Sequence, residues 1–143
     1  MRKLSFSLLI ALLFVLAACN NDVESAPNEQ GTLTADLVPE LVQTYGLSED
    51  DILHRAELVD GTIQIDVSLA PFGNLSDETL AQTFYSSISE VFLMYSEGWE
   101  RLAVYFEELD HTVMLHYAEH MTDSLGKRTF PLVRIEEKMN ERS

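Results

Sequence analysis

Apolar positions recur with two different periods between residues 33 and 143, and each period predicts its own kind of element. Leu80, Phe84, Ile88, Val91 and Tyr95 recur at spacings of four and three, and Phe92 widens the stripe, so the pattern predicts a helix with a broad buried face. Ser76 stands where an N-cap belongs, Asp77 and Glu78 complement the positive helix end, and Gly98 is the expected stop. The period of two flanks Asp60-Gly61, a strong two-residue turn signal. On one arm Ile63, Ile65, Val67 and Leu69 alternate with Thr62, Gln64, Asp66 and Ser68. On the other, Leu58, Ala56, His54 and Ile52 alternate with Val59, Glu57 and Arg55. A tight turn sets Val59 opposite Thr62, and therefore Arg55 opposite Asp66 on the polar face. Both arms then agree on which side is buried.

Weaker patterns complete the chain. Asp36 to Gly46 predicts a short helix, with Pro39 in its first turn, Gly46 as stop, and Leu37, Leu41 and Tyr45 on one face. Trp99 to Phe106 predicts a strand, with Leu102, Val104 and Phe106 on one side and Trp99, Arg101, Ala103 and Tyr105 on the other. Glu107 to Asp110 is polar enough to turn, and Thr112 to Tyr117 returns as a fourth strand. A last helix starts at Pro131 and buries Leu132, Ile135 and Met139. The order α-β-β-α-β-β-α predicts an α+β fold: a small antiparallel sheet of two hairpins, with a central helix and terminal helices packed mainly on one face.

Residues 1–19, MRKLSFSLLIALLFVLAAC, follow neither period. Arg2 and Lys3 precede an apolar run from Leu4 to Val15, broken only by Ser5 and Ser7. The run is shorter than the ~20 apolar residues of a membrane span, and its length and flanks fit a secretory signal. The positive flank stays on the cytoplasmic side, so the rest of the chain is exported. The segment ends in Leu16-Ala17-Ala18-Cys19, which resembles the lipobox of bacterial lipoproteins: an aliphatic residue, two small residues and a Cys. The resemblance covers these 19 residues only. It implies a diacylglycerol on the Cys19 thiol, cleavage just before it, and often acylation of the new N-terminus. An ordinary signal peptide with an Ala-x-Ala-like cut, and an uncleaved anchor, are the alternatives.

The expected plan is a lipoprotein signal peptide over residues 1–18, a lipidated Cys19 and flexible tether over 19–32, and a single α+β domain over 33–143. The tether reading rests on Asn20 to Thr32, NNDVESAPNEQGT, which holds little that could enter a core. The expected location is the extracytoplasmic face of the cell membrane, where two acyl chains hold stably and one only marginally. Taken whole, the mature part resembles small bacterial surface lipoproteins of unassigned role.

Charge narrows the partners. The 143 residues include 9 Lys and Arg against 24 Asp and Glu, a formal net charge of −15. Losing Arg2 and Lys3 with the leader leaves 7 basic residues against 24 acids, or −17. Nucleic acid is excluded, because phosphate contacts need clustered Lys and Arg. The same charge opposes adsorption to anionic headgroups and favours cationic partners or ions. A hydrophobic content of 46% excludes a wholly disordered chain. Cys19 is the only cysteine, so no internal disulfide or Cys-based zinc site is possible, and lipidation would consume the only thiol.

Candidate chemistry is sparse. His116-Tyr117-Ala118-Glu119-His120 spells H-x-x-E-H, the inverzincin string, in which two imidazoles hold Zn²⁺ and the carboxylate activates water. That chemistry needs one continuous helix, a third ligand and a cleft. Here the string follows Thr112 to Leu115, which reads as strand, and along a strand the two His would lie ~13 Å apart. A surface His pair in an acidic protein is the competing reading. His54 falls on the inward side of its arm and reads as a hydrogen-bonded core edge; nothing in the sequence brings it to His111. Ser48 to Asp51 and Glu107 to Asp110 offer oxygens of the kind calcium takes, without the alternation and glycine of an EF-hand loop, and read as solvated surface. Lys127-Arg128 is the only adjacent basic pair after Cys19, able to meet an anionic ligand or lipid head. Trp99 reads as core.

Three functions fit these residues. The first is a non-enzymatic, lipid-anchored module that meets an envelope protein or small ligand and needs no cofactor or metal. The second is a small metal-dependent hydrolase using His116, Glu119 and His120. The third is a cup for a solute or lipid, formed by the concave sheet, with an apolar pocket between the sheet and helix 76–97.

Overall fold

The computed structural model describes residues 30–141. The leader, Cys19 and the tether up to residue 29 lie outside the described residues. The described chain runs through β1 (Gly31–Thr32), α1 (Leu37–Leu41) continuing as a π-helical turn (Val42–Gly46), β2 (Ile52–Val59), β3 (Thr62–Ser68) and α2 (Asp77–Phe92). It continues through β4 (Tyr95–Glu97), β5 (Arg101–Phe106), β6 (His111–His116), β7 (Met121–Thr122), β8 (Arg128–Thr129) and α3 (Leu132–Asn140). Among the described residues no helix is long and apolar enough to cross a membrane.

The α+β class stands, but the sheet is mixed rather than antiparallel throughout. Its order is β2-β3-β5-β6. β2/β3 and β5/β6 pair antiparallel, whereas β3/β5 pair parallel from Thr62↔Arg101 to Val67↔Phe106. The cause is α2. A parallel pairing needs a crossover of a dozen or more residues, and residues 69–100 contain a 16-residue helix. At 1.5 Å per residue that helix spans about 24 Å, the length of the seven-residue strand it recrosses. The chain therefore returns to the starting end of β3 before β5 begins.

One face of the sheet is sealed. Ile63, Ile65, Val67, Leu102, Val104, Phe106, Val113 and Leu115 are buried. Against them α2 contributes Ala81, Phe84, Tyr85, Ile88 and Phe92, and α3 contributes Ile135 and Met139. Phe84 meets Phe106 edge to face at 5.9 Å. Ser76 caps α2, its side chain accepting from the Thr79 amide at 3.2 Å. Tyr85 is fully buried, and its hydroxyl donates to the Leu102 carbonyl at 2.8 Å and accepts from the Leu115 amide at 3.1 Å. On the other sheet face the side chains of Gln64, Asp66, Arg101 and Tyr105 are partly accessible and Met114 is exposed.

At the β2/β3 turn Asp60 (φ 48°) and Gly61 (φ 76°) are both left-handed, the type I′ geometry that Asp-Gly favours. Val59 pairs with Thr62 and Arg55 with Asp66, with the guanidinium 3.1 Å from the carboxylate. The register then slips between Leu53 and Arg55. Leu53 takes the position opposite Val67, and Ile52 and His54 turn outward. The expected inward placement of His54 fails because this bulge exchanges a polar inward residue for an apolar one.

Other expectations shift by a turn or a residue. α2 ends at Phe92, and Tyr95–Glu97 instead pair parallel with Gly31–Thr32, residues assigned above to the tether. Gly98 stops no helix. It has φ 95°, and a Cβ there would lie 2.4 Å from the Leu33 carbonyl oxygen, so the glycine lets two backbones meet. α1 and its π-helical turn fully bury Val38 and Val42, Leu37 and Leu41 pack partly buried against the core, and Tyr45 is exposed. α3 buries Ile135 and Met139 but leaves Leu132 exposed. Trp99 is buried ahead of β5, its Nε1 donating to the Tyr95 carbonyl at 3.0 Å.

Candidate functional site

Concavity lies on the outer side of α2, away from the sheet, and in a smaller hollow lined by Trp99, Glu100, His116, Tyr117 and Ala118. Two hollows of about 340 and 360 Å³ share Tyr45 and Ser87 and form one cleft along the helix. Neither is lined by the inward side chains of the sheet. Core fills the space between sheet and helix that a ligand cup would need, as the apolar stripes of both predict.

Tyr45 stands at the middle of the cleft because the chain after α1 widens into a π-helical turn. Tyr45 is 62% exposed, although its spacing from Leu37 and Leu41 predicts a shared buried face. Such turns recur at functional sites.

One end of the cleft is acidic. Ser48, Glu49, Asp50 and Asp51 form a wall there, facing Leu69, Ala70, Pro71 and Phe72. Asp51 joins the two walls. Its Oδ2 accepts from the Ser48 amide (2.8 Å) and hydroxyl (2.6 Å), and its Oδ1 accepts from the Ala70 amide at 2.8 Å. Partial burial pushes the Asp51 pKa up, but the hydrogen bonds from Ser48 and Ala70 outweigh it and hold the group below the ordinary 3.8. Asp51 is therefore a structural latch. Phe72, 71% exposed, stands on the opposite wall.

The other end is basic and more apolar. Tyr45, Val91, Leu93 and Met94 line it together with Glu90, Lys127 and Arg128. The turn carrying the two cations is fixed by Asp123, whose Oδ1 accepts from the amides of Leu125 (2.8 Å) and Lys127 (2.9 Å). Arg128 Nη1 donates to the Leu93 carbonyl at 3.1 Å. Lys127 Nζ lies 3.2 Å from Glu90 Oε2, in a pair exposed on both sides. The Gln30 amide donates to the Met94 carbonyl at 2.9 Å, so the described chain begins on the wall of this hollow.

The H-x-x-E-H string has a structural explanation. His116 ends β6, Tyr117–Glu119 form a 3-10 turn, and His120 follows it, so the string occupies no continuous helix. The spacing H-x-x-E is that of a capping box, with His116 as N-cap and Glu119 reaching back to the His116 amide at 2.8 Å. The other Glu119 oxygen lies 2.5 Å from Arg134 of α3. Partial burial raises the Glu119 pKa, but Arg134 and the His116 amide outweigh it and leave the carboxylate below its ordinary value. His120 Nδ1 lies 2.6 Å from the Tyr117 carbonyl, and its ring packs on Tyr117 at 4.6 Å.

The remaining histidines do not join them. His111 Nε2 lies 2.7 Å from the Lys138 carbonyl. His54 Nε2 lies 2.7 Å from Ser68 Oγ and 2.8 Å from Glu107 Oε2, and Ser68 also bonds Glu107. The Ser68 hydroxyl, and then His54, hold the Glu107 pKa below its ordinary value. Hydroxyl and carboxylate both meet the same imidazole nitrogen. A nucleophilic relay instead needs them on opposite nitrogens. In the second acidic cluster Asp110 accepts from the Tyr105 hydroxyl at 2.8 Å. Among the described residues no group of three or more His, Cys, Asp and Glu is disposed to hold a metal ion.

Lys127-Arg128 and the acidic run Ser48 to Asp51 are the sequence signals that fall in the cleft. Ser87 and Met94 carry no signal, and the periodicity of Tyr45 and Val91 predicts buried helix faces, because only tertiary packing brings them beside that basic pair. No protein-family model, no curated protein and no solved structure matches the chain.

Proposed function

We propose that this chain is a lipid-anchored, extracytoplasmic binding module, held at the cell membrane through Cys19. Its domain acts by binding a small ligand or an envelope partner in the α2 cleft. The observation that carries the anchor is Leu16-Ala17-Ala18-Cys19 closing a basic-flanked apolar run. The cleft supports the binding role, with two hollows meeting at an exposed aromatic ring. The eleven steps from Cys19 to Gln30 can span at most ~36–40 Å, so on this reading the cleft works close to the bilayer. No observation favours the hydrolase reading, since both Glu119 oxygens are engaged by His116 and Arg134.

Metabolic labelling with a tagged fatty acid tests the anchor. The wild-type chain should take up label and Cys19→Ser should take up none. An unlabelled wild-type chain, or equal labelling of the variant, contradicts it.

A further inference from the structure

We infer that the hollow between Tyr45 and Lys127 binds a free single-chain carboxylate, a compact apolar body with one anionic head. The inference deepens the binding role proposed above and names its ligand class. Three observations carry it. The walls are apolar, made by Tyr45, Val91, Leu93 and Met94, and the volume of about 340 Å³ lies in the lower part of the ~300–1,000 Å³ range of small-molecule sites. At one side of these walls stand Lys127 and Arg128, the only adjacent cations after Cys19. The Asp123 turn fixes the backbone that carries Lys127, and the Arg128 guanidinium is held by its bond to the Leu93 carbonyl.

The balance of charge makes this arrangement selective. From Cys19 onward the chain carries 24 acids against 7 bases, so an anion is repelled over most of the surface. At the far end of the cleft Glu49, Asp50 and Asp51 close the second hollow to a carboxylate. The first hollow is the exception, and Glu90 is its counter-charge. The Lys127–Glu90 pair is exposed, and such pairs contribute only ~0–1 kcal/mol. An ammonium has three donors, so Lys127 can hold a ligand head beside Glu90 or exchange Glu90 for it. A bilayer phospholipid is the disfavoured source, because its anionic surface repels this acidic chain. The carboxylate head therefore sits at Lys127 and Arg128, with its chain laid along Met94 and Tyr45.

The test uses the full chain in discs of neutral phospholipid and a photoactivatable decanoic acid, with labelled peptides identified by mass spectrometry. Label should concentrate in the segments around Tyr45, Ser87–Met94 and Leu125–Arg128. It should saturate, and decanoate should compete at least ~10-fold better than decyltrimethylammonium, as expected for a charge-assisted contact. Lys127→Ala should weaken capture about 5- to 10-fold, and Ser87→Trp should abolish it by filling the cleft from an exposed helix position. Glu90→Gln should strengthen capture about 2- to 5-fold, the opposite of what a purely structural ion pair would give. Scattered label, equal competition by the cation, or indifference to Lys127→Ala overturns the inference. Loss of label when the discs are made of anionic phospholipid, with no competing decanoate present, also overturns it, by making a membrane lipid the occupant. The state of Cys19 is read in the same sample. Missing label on a lipidated chain defeats the ligand alone, and specific label on a chain with bare Cys19 defeats the anchor alone.

Discussion

Asp51 joins two loops with one carboxylate. Its three hydrogen bonds, to the Ser48 amide and hydroxyl and to the Ala70 amide, tie the acidic wall of the cleft to the wall that carries Phe72. Those bonds hold its folded pKa below the ordinary 3.8 despite partial burial. A depressed carboxylate stabilises the fold above its unfolded pKa, and the contribution disappears as pH falls through the lower folded value. Asp51→Asn should therefore cost about 1 kcal/mol at neutral pH and almost nothing well below pH 3. Urea unfolding of both chains across that range measures the difference. A cost that stays constant with pH would show that the charge of Asp51 plays no part. Single residues were also where the sequence was most legible. Ser76 caps its helix and Asp60-Gly61 turn as their chemistry requires. His54 is the instructive miss, since strict alternation placed an imidazole inward beside an outward Leu53. That conflict of polarity was the only trace of the bulge.

Among elements, local pattern located most helices and strands but not their partners. The mixed sheet follows from the length of the segment between β3 and β5, a quantity present in the sequence, whereas hairpin turns attracted the assignment of strands to antiparallel pairs. β1 and β4 escaped notice because two- and three-residue strands have no period to read. The cleft was illegible for a related reason, since it assembles side chains from α1, α2 and the β7–β8 turn. One contact binds the elements with particular economy: the Tyr85 hydroxyl carries α2 into the β5/β6 pair, between the Leu102 carbonyl and the Leu115 amide. Burial pushes its pKa above the ordinary value, which favours the neutral hydroxyl that donates to Leu102. Tyr85→Phe leaves both backbone groups buried without that partner and should cost about 1–3 kcal/mol. Equilibrium denaturation checks this, and a cost below about 0.5 kcal/mol would show that the strands re-pair without the hydroxyl.

For the molecule as a whole, charge and attachment pull in opposite directions. A balance of −17 after Cys19 favours solution and repels an anionic bilayer surface, so on the proposed reading a lipid is what holds the domain at the membrane. The H-x-x-E-H string shows why motifs need context at this scale. The same spacing that would hold zinc on a helix caps a 3-10 turn here and joins β6 to α3 through Arg134. The cleft on α2, with its acidic and basic ends, is the place proposed here for binding. On the proposed reading, its use near a bilayer depends on Cys19. The most direct measurement is the mass of the N-terminal peptide of protein isolated from its native membrane. The account requires a chain that begins at Cys19 and carries the added mass of a diacylglycerol on sulfur. A free thiol at Cys19, or residues 1–18 still attached, would contradict it.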